Sequence, residues 1–332
     1  MPIRLLLLGG SGFVGSALLR ELASLPLGSV HARALLRRPD AVADRPFLEK
    51  VAGSLESPPF DLAPREPYVL VHLAVKQIDA DGTGYDATNV GATRAMLASL
   101  RRAPAGILYG SSMSVYGQAA QDGVSEDAPL VADTALGKSR ALAEAEVETF
   151  SAARGLSAFA MRPRFVLGEG DRFVLPALAK LALRRVALGT GEQRFSIIDV
   201  ADYARVILLL AHHALEAPGA DKARVRAFNV GYTRPVSFRE IGDALAGALD
   251  AKPPRFRVPV SRTITRMLHG VGAAAVATRL ELVGLSHWGD VGALAGAIGE
   301  SVLGQDPLPV LARAAARLSP LSSLHPPLTV RR

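Results

Sequence analysis

The chain has 332 residues, room for about two domains of ~150 residues each, and its 49% apolar and 21% charged residues have the balance of an ordered globular protein. It contains no cysteine, which excludes disulfides, zinc–thiolate and iron–sulfur sites and a cysteine nucleophile, and which fits a reducing, cytoplasmic setting. The net charge of +7 favours anionic ligands. Nucleic acid is not expected as a partner, because aromatics make up only 5% and the basic residues stand as doublets such as Arg37-Arg38, Arg101-Arg102, Arg184-Arg185 and Arg331-Arg332.

Residues 3–8 form a continuous apolar run, the pattern of a strand buried on both faces. The run is too short for a signal peptide, and no later run reaches the ~18–20 residues of a membrane span. The segment Gly9-Gly10-Ser11-Gly12-Phe13-Val14-Gly15 follows at once, and residues 16–25 then show helical spacing. A Gly-x-x-Gly-x-x-Gly turn between strand and helix is the context of a dinucleotide site. The backbone must turn tightly there, approach a pyrophosphate and present a helix N-terminus to its charge.

A second strand is predicted near residues 30–36, ending in Arg37 and Arg38. An acidic residue here would serve the ribose 2′-hydroxyl of NAD, whereas arginine suits a 2′-phosphate. NADP is therefore favoured, with NAD as the alternative; a second reading makes the two arginines an ordinary solvated strand end.

Further segments follow in chain order: "VLVHLA" at 69–74, Asn89-Val90-x-x-Thr93, "ILYGSSMSVYG" at 107–117, Arg162-Pro163, Val166-x-Gly168-x-Gly170-Asp171, "GTGEQRFSIIDVADYA" at 189–204 and Phe228-Asn229-Val230-Gly231. Their order and spacing, together with Gly9-x-x-Gly12-x-x-Gly15, resemble the extended short-chain dehydrogenase/reductase family, the NAD-dependent epimerase/dehydratase group. The match spans about residues 3–245. The resemblance implies a doubly wound parallel α/β sheet (Rossmann-like) with a smaller, mainly helical substrate part. It assigns residues 1–170 to dinucleotide binding, completed by about 195–235, and 171–194 and 236–320 to the substrate side, with 321–332 as a tail. Leu73, Ala74 and Pro163 would lie along the cofactor, and Ser112 would hold the substrate oxygen, unless its hydroxyl only caps a strand end. Helices near 90–102 and 136–153 form a dimer bundle in many relatives, so a homodimer is expected.

One departure stands out. The family places Tyr-x-x-x-Lys on the helix near 136–153, where the tyrosine passes a proton and the lysine binds ribose and lowers the tyrosine's pKa. The register set by Gly137, Ser139 and Glu144 puts Leu136 and Arg140 at these positions, and none of the six tyrosines has a lysine four residues later. Leucine carries no proton, and arginine grips ribose or phosphate but is a poor proton relay. Tyr116 and Lys138 are the nearest replacement donors; each also reads blandly, Tyr116 as loop packing and Lys138 as an exposed helix residue.

No metal site is expected, since the seven histidines show no His-x-x-x-His spacing. The low polarity of the C-terminal part points to a small, rather apolar substrate. Arg194 keeps a sugar-nucleotide alternative open, and His269, His287 and Trp288 are the residues there that would meet a ligand if they are not simply packed. Three functions follow: an NAD(P)-dependent oxidoreductase or epimerase/dehydratase-like enzyme with a non-standard proton donor, a non-redox cyclase, lyase or isomerase, or an inactive dinucleotide-binding subunit.

Overall fold

The computed structural model describes residues 2–79, 83–216, 225–270 and 280–318; the predicted tail lies outside them. Its main sheet has seven parallel strands: β1 (Ile3–Leu8), β2 (Val30–Leu36), β3 (Leu48–Ala52), β4 (Val69–His72), β5 (Gly106–Gly110), β6 (Ser157–Pro163) and β7 (Val225–Val230). They lie in the order β7-β6-β5-β4-β1-β2-β3. The order reverses between β1 and β4, the crevice where such sheets bind nucleotides.

Alternation explains the layers. Leu5 and Leu7 of β1 pack in one cluster with Ala17, Leu18 and Leu22 of α1 (Phe13–Ala23). The same cluster takes in Ile207 and Leu210 of a long helix, Val200–Glu216. Leu6 and Leu8 point the other way, to Met96 and Leu97 of α2 (Ala92–Ser99) and Ala143 and Val147 of α3 (Ala135–Ala152). The helix predicted near 90–102 begins earlier, as a wide turn over Asp86–Gly91, and α2 continues it.

The C-terminal part contains helices Phe238–Ala248, Gly292–Ile298 and Pro307–Ala316, as its composition suggests. It also contributes to a four-stranded sheet ordered Val236–Ser237, Arg194–Phe195, His287–Gly289, Gln121–Val124. Strands of two to four residues are too short to show an alternating pattern in sequence. Leu294, Leu303 and Leu311 join the same apolar cluster as β1 and α1, so this part packs directly onto the main sheet.

Because the seven strands are parallel, their C-terminal ends share one edge. Leu8 pairs with His72, His72 with Tyr109, and Gly110 with Met161. The family-like segments at 9–15, 73–74, 111–117 and 163–171 all leave from this edge.

Candidate active site

The glycine turn meets the β4 end backbone to backbone. Gly9 has φ +88°, and a Cβ there would stand 2.7 Å from the Ala74 nitrogen and the Leu73 carbonyl carbon. A Cβ on Gly15 would stand 2.2 Å from the Gly9 carbonyl oxygen. The Gly12 N–H donates to that same oxygen at 2.9 Å. Gly12 is the N-cap of α1 and no side chain caps the helix there. Ser11 and Gly12 are exposed, Phe13 and Val14 half-buried. An accessible helix N-terminus behind a turn of bare backbone fits a dinucleotide pyrophosphate. Gly170, on the loop after Pro163, would bring a Cβ within 3.4 Å of the Phe13 ring, so that loop closes over the turn.

Arg37 and Arg38 stand exposed where β2 ends, and among the described residues neither side chain has a hydrogen bond or ion pair. A surface cleft of about 610 Å³ lies at the opposite ends of these strands. Two of its arginines are paired, Arg33 with Glu49 and Arg4 with Glu66.

The other side of the edge is built from side chains. Ser112 is half-buried two residues after β5, and its hydroxyl accepts the Ser114 N–H at 3.2 Å, capping a single turn over Met113–Tyr116. The start of α3 lies against this turn: a Cβ on Gly137 would come within 2.6 Å of the Ser114 carbonyl oxygen. Thr134 caps α3 by accepting the Gly137 N–H at 3.0 Å. In α3, Leu136 is half-buried, Lys138 exposed and Arg140 buried.

Arg140 is held from three directions. Its Nη1 donates to the carbonyls of Gly110 (2.6 Å) and Ser111 (2.9 Å), and its Nη2 donates to Gln77 Oε1 (2.5 Å). Its Nε is buried without a partner. Burial pushes its pKa down, because the charge has lost water and faces neutral acceptors. The expected grip on the cofactor is thus accompanied by a grip on the end of β5. Asn89 supports the same corner by donating to Ser139 Oγ (2.9 Å) and accepting the Lys76 N–H (2.7 Å).

Neither replacement proton donor gains support from the geometry. The Tyr116 hydroxyl donates to Asn229 Oδ1 (3.0 Å) and accepts from Arg162 (2.8 Å), and burial raises its pKa. Lys138 points to solvent between the buried Gly137 and Ser139. On the substrate side, His287 is fully buried, its Nε2 on the Glu281 carbonyl (3.1 Å), and Trp288 donates to Asp122. Both side chains are engaged within the protein; Arg194 is exposed, and the His269 side chain lies outside the described set.

The residue that sequence reasoning left without a role is Glu144, one turn beyond Arg140. It pairs with Arg162 of β6 in a bidentate bridge (3.0 and 2.6 Å) and accepts from the Ser111 hydroxyl. Both members of the bridge are almost fully buried. Burial opposes the Arg162 charge, but the hydrogen bonds and charge of Glu144 outweigh it, so its pKa is raised. The signal was a carboxylate on the buried face of a predicted helix, with an arginine ending a predicted strand.

The chain's residues 5–231 match the model of the NAD dependent epimerase/dehydratase family. The chain belongs to this family. A curated relative, the 2-alkyl-3-oxoalkanoate reductase of Stenotrophomonas maltophilia, is 30% identical over 278 residues, covering 75% of this chain and 76% of the relative. Among solved structures, UDP-galactose 4-epimerase matches with a TM-score of 0.70 at 21% identity, over 95% of this chain and 98% of the other. UDP-glucuronic acid 4-epimerase from Bacillus cereus, in complex with NAD, matches with a TM-score of 0.71 at 15% identity, over 95% and 96%. Such structural likeness establishes the Rossmann-like fold. Family membership and the reductase relative make this an NAD-dependent type of enzyme scaffold.

Proposed function

We propose that the chain is an NADP-dependent reductase acting on a carbonyl of an alkyl-bearing, rather apolar substrate. The observation that carries the reading is the β5 end, where Arg140 clamps the Gly110 and Ser111 carbonyls immediately before Ser112. The relative named for a 2-alkyl-3-oxoalkanoate supports the substrate class. The unpaired Arg37 and Arg38 at the end of β2 support the 2′-phosphate form of the cofactor.

Gly9, Ser11, Gly12, Phe13, Val14 and Gly15 would hold the pyrophosphate, with Leu73, Ala74 and Pro163 along the rest of the dinucleotide. Bound there, the dinucleotide supplies the hydride. The Ser112 hydroxyl donates a hydrogen bond to the substrate carbonyl oxygen. As that oxygen becomes an alkoxide it takes the Ser112 proton, and water reaching the half-buried serine restores it. Arg140 holds its proton near neutral pH, so it acts by fixing the β5 end and by placing positive charge behind the developing alkoxide. Leu136 lines the site where other members have tyrosine. A second copy pairs through α2 and α3, a reading supported by Leu142, which α3 leaves 50% exposed.

The test is oxidation of NADPH by a purified chain given 2-alkyl-3-oxo acids. Ser112→Ala is expected to lower turnover by about 100-fold, the scale of a lost proton donor. Leu136→Tyr with Arg140→Lys is expected to raise it. Full activity in Ser112→Ala overturns the serine assignment. The placement of Tyr116 and Lys138 favours a second reading, a dinucleotide-binding subunit or a non-redox lyase, cyclase or isomerase. Tight NADPH binding without oxidation by any such acid would select it.

A further inference from the structure

Residues 252–280 contain six Lys and Arg and no Asp or Glu, so they hold six of the chain's seven net positive charges. Over the rest of the chain basic and acidic residues nearly cancel; in this stretch they do not. The structure places much of it at the surface. Lys252, Arg255, Arg257 and Arg266 are exposed, and Lys252, Arg255 and Arg266 have no ion pair among the described residues.

Large apolar side chains stand exposed between these cations: Phe256 by 58%, Val258 by 39% and Met267 by 72%. Phe256–Val258 is a short strand whose sheet has one other member, Val186–Leu188. Arg257 secures it by donating to the Gly189 carbonyl (3.2 Å) and to that of Thr190. Three residues later the helix Arg262–Gly270 begins. Its Thr265 is buried and its Ile264 and Leu268 half-buried, while Arg266 and Met267 remain outside.

We propose that residues 252–270 form a docking surface for an anionic phospholipid bilayer. The cations meet the lipid phosphates, and Phe256, Val258 and Met267 enter the boundary between headgroups and acyl chains. Nucleic acid would use the charge but gains no stacking face from Val258 or Met267, whereas a lipid interface uses both features. No described helix is long and apolar enough to cross a membrane, so the attachment is peripheral. The inference is independent of the reaction proposed above.

The experiment is co-sedimentation of the full chain with phosphatidylcholine vesicles, with and without phosphatidylglycerol, at low and high salt. Binding is expected only to the anionic vesicles, with release by salt. Arg255→Gln with Arg266→Gln removes two cations worth about 1 kcal/mol each at such a surface, a loss of about 30-fold in affinity. Phe256→Ser with Met267→Ser is expected to weaken the same binding. Unchanged NADPH binding and melting temperature show that both variants fold. Absence of binding to anionic vesicles, equal binding to neutral ones, or wild-type binding by the arginine variant overturns the proposal. Capture of an acidic protein by this surface with none of the vesicles also overturns it, and reassigns the patch.

Discussion

The two halves of the candidate site use opposite materials. On the β1–α1 side the contacts are backbone on backbone, and the side chains that matter are the ones glycine lacks. On the β5–α3 side the contacts are side chains: Arg140 on two carbonyls, Glu144 on Arg162 and Ser111, Tyr116 on Asn229. A backbone cradle tolerates almost no substitution. A side-chain network changes member by member, and the register proposed for α3 sets Leu136 and Arg140 inside this frame. Binding and chemistry at one sheet edge are thus free to diverge separately.

The sharpest way to break the comparison is Glu144→Gln. It keeps the shape but leaves the buried Arg162 guanidinium without a counter-charge, a situation that costs about 3–5 kcal/mol. Urea unfolding should show that loss. If the variant unfolds within ~1 kcal/mol of the parent, the side-chain half is not held together by this bridge. Next comes Gly15→Ala, whose methyl would meet the Gly9 carbonyl at 2.2 Å. Backbone on both sides must shift, at about 3 kcal/mol, the upper range for overpacking. Gly12→Ala, with a 3.2 Å approach, should fold normally and lose dinucleotide affinity alone. Equal melting temperatures for the two variants would remove the distinction.

How much the sequence revealed follows the same division. The glycine turn, β1, β2 and α1 lie within some forty consecutive residues, so spacing alone places them. The helix near 136–153 was legible through the resemblance, from the register of Gly137, Ser139 and Glu144; its cap, Thr134, came only with the structure. The network was not. Arg162 meets Glu144 across 18 positions and Tyr116 meets Asn229 across 113, and no local pattern encodes such pairs. Lys138 and Tyr116 looked alike as donors in sequence because burial, which separates them, is a property of the assembled edge. The short strands at 194–195, 236–237 and 287–289 were hidden by their length.

His72 lies where the halves join, at the end of β4, and gives a smaller, pH-dependent effect. It is fully buried, its Nε2 on Thr93 Oγ1 at 2.8 Å, and burial, aided by the Arg140 charge, lowers its pKa to about 3. The unfolded chain binds a proton near pH 6.5 and the folded chain does not, so stability is complete above that pH and falls as pH drops toward 3. At pH 5 the loss from this residue is about 2 kcal/mol. Denaturation midpoints measured between pH 7 and 5 should fall accordingly, and His72→Gln should flatten the slope. An unchanged slope in the variant would mean that the ring is reached by protons in the folded state.

The smallest expected effect sharpens the cradle side. If the turn over 9–15 is indifferent to which dinucleotide it holds, selectivity has to come from side chains beyond it, and Arg37 and Arg38 stand at that place without partners in the described structure. A 2′-phosphate gains charge-assisted hydrogen bonds from arginine that a hydroxyl does not. Arg37→Ser with Arg38→Ser should therefore weaken NADPH binding by about 10-fold, roughly 1.4 kcal/mol, and leave NADH binding nearly unchanged. Fluorescence titration of both nucleotides reads the two constants separately. A parallel loss for both would assign the arginines to the general attraction of anions, and a parent chain preferring NADH would remove their role in cofactor choice while leaving the glycine cradle as described.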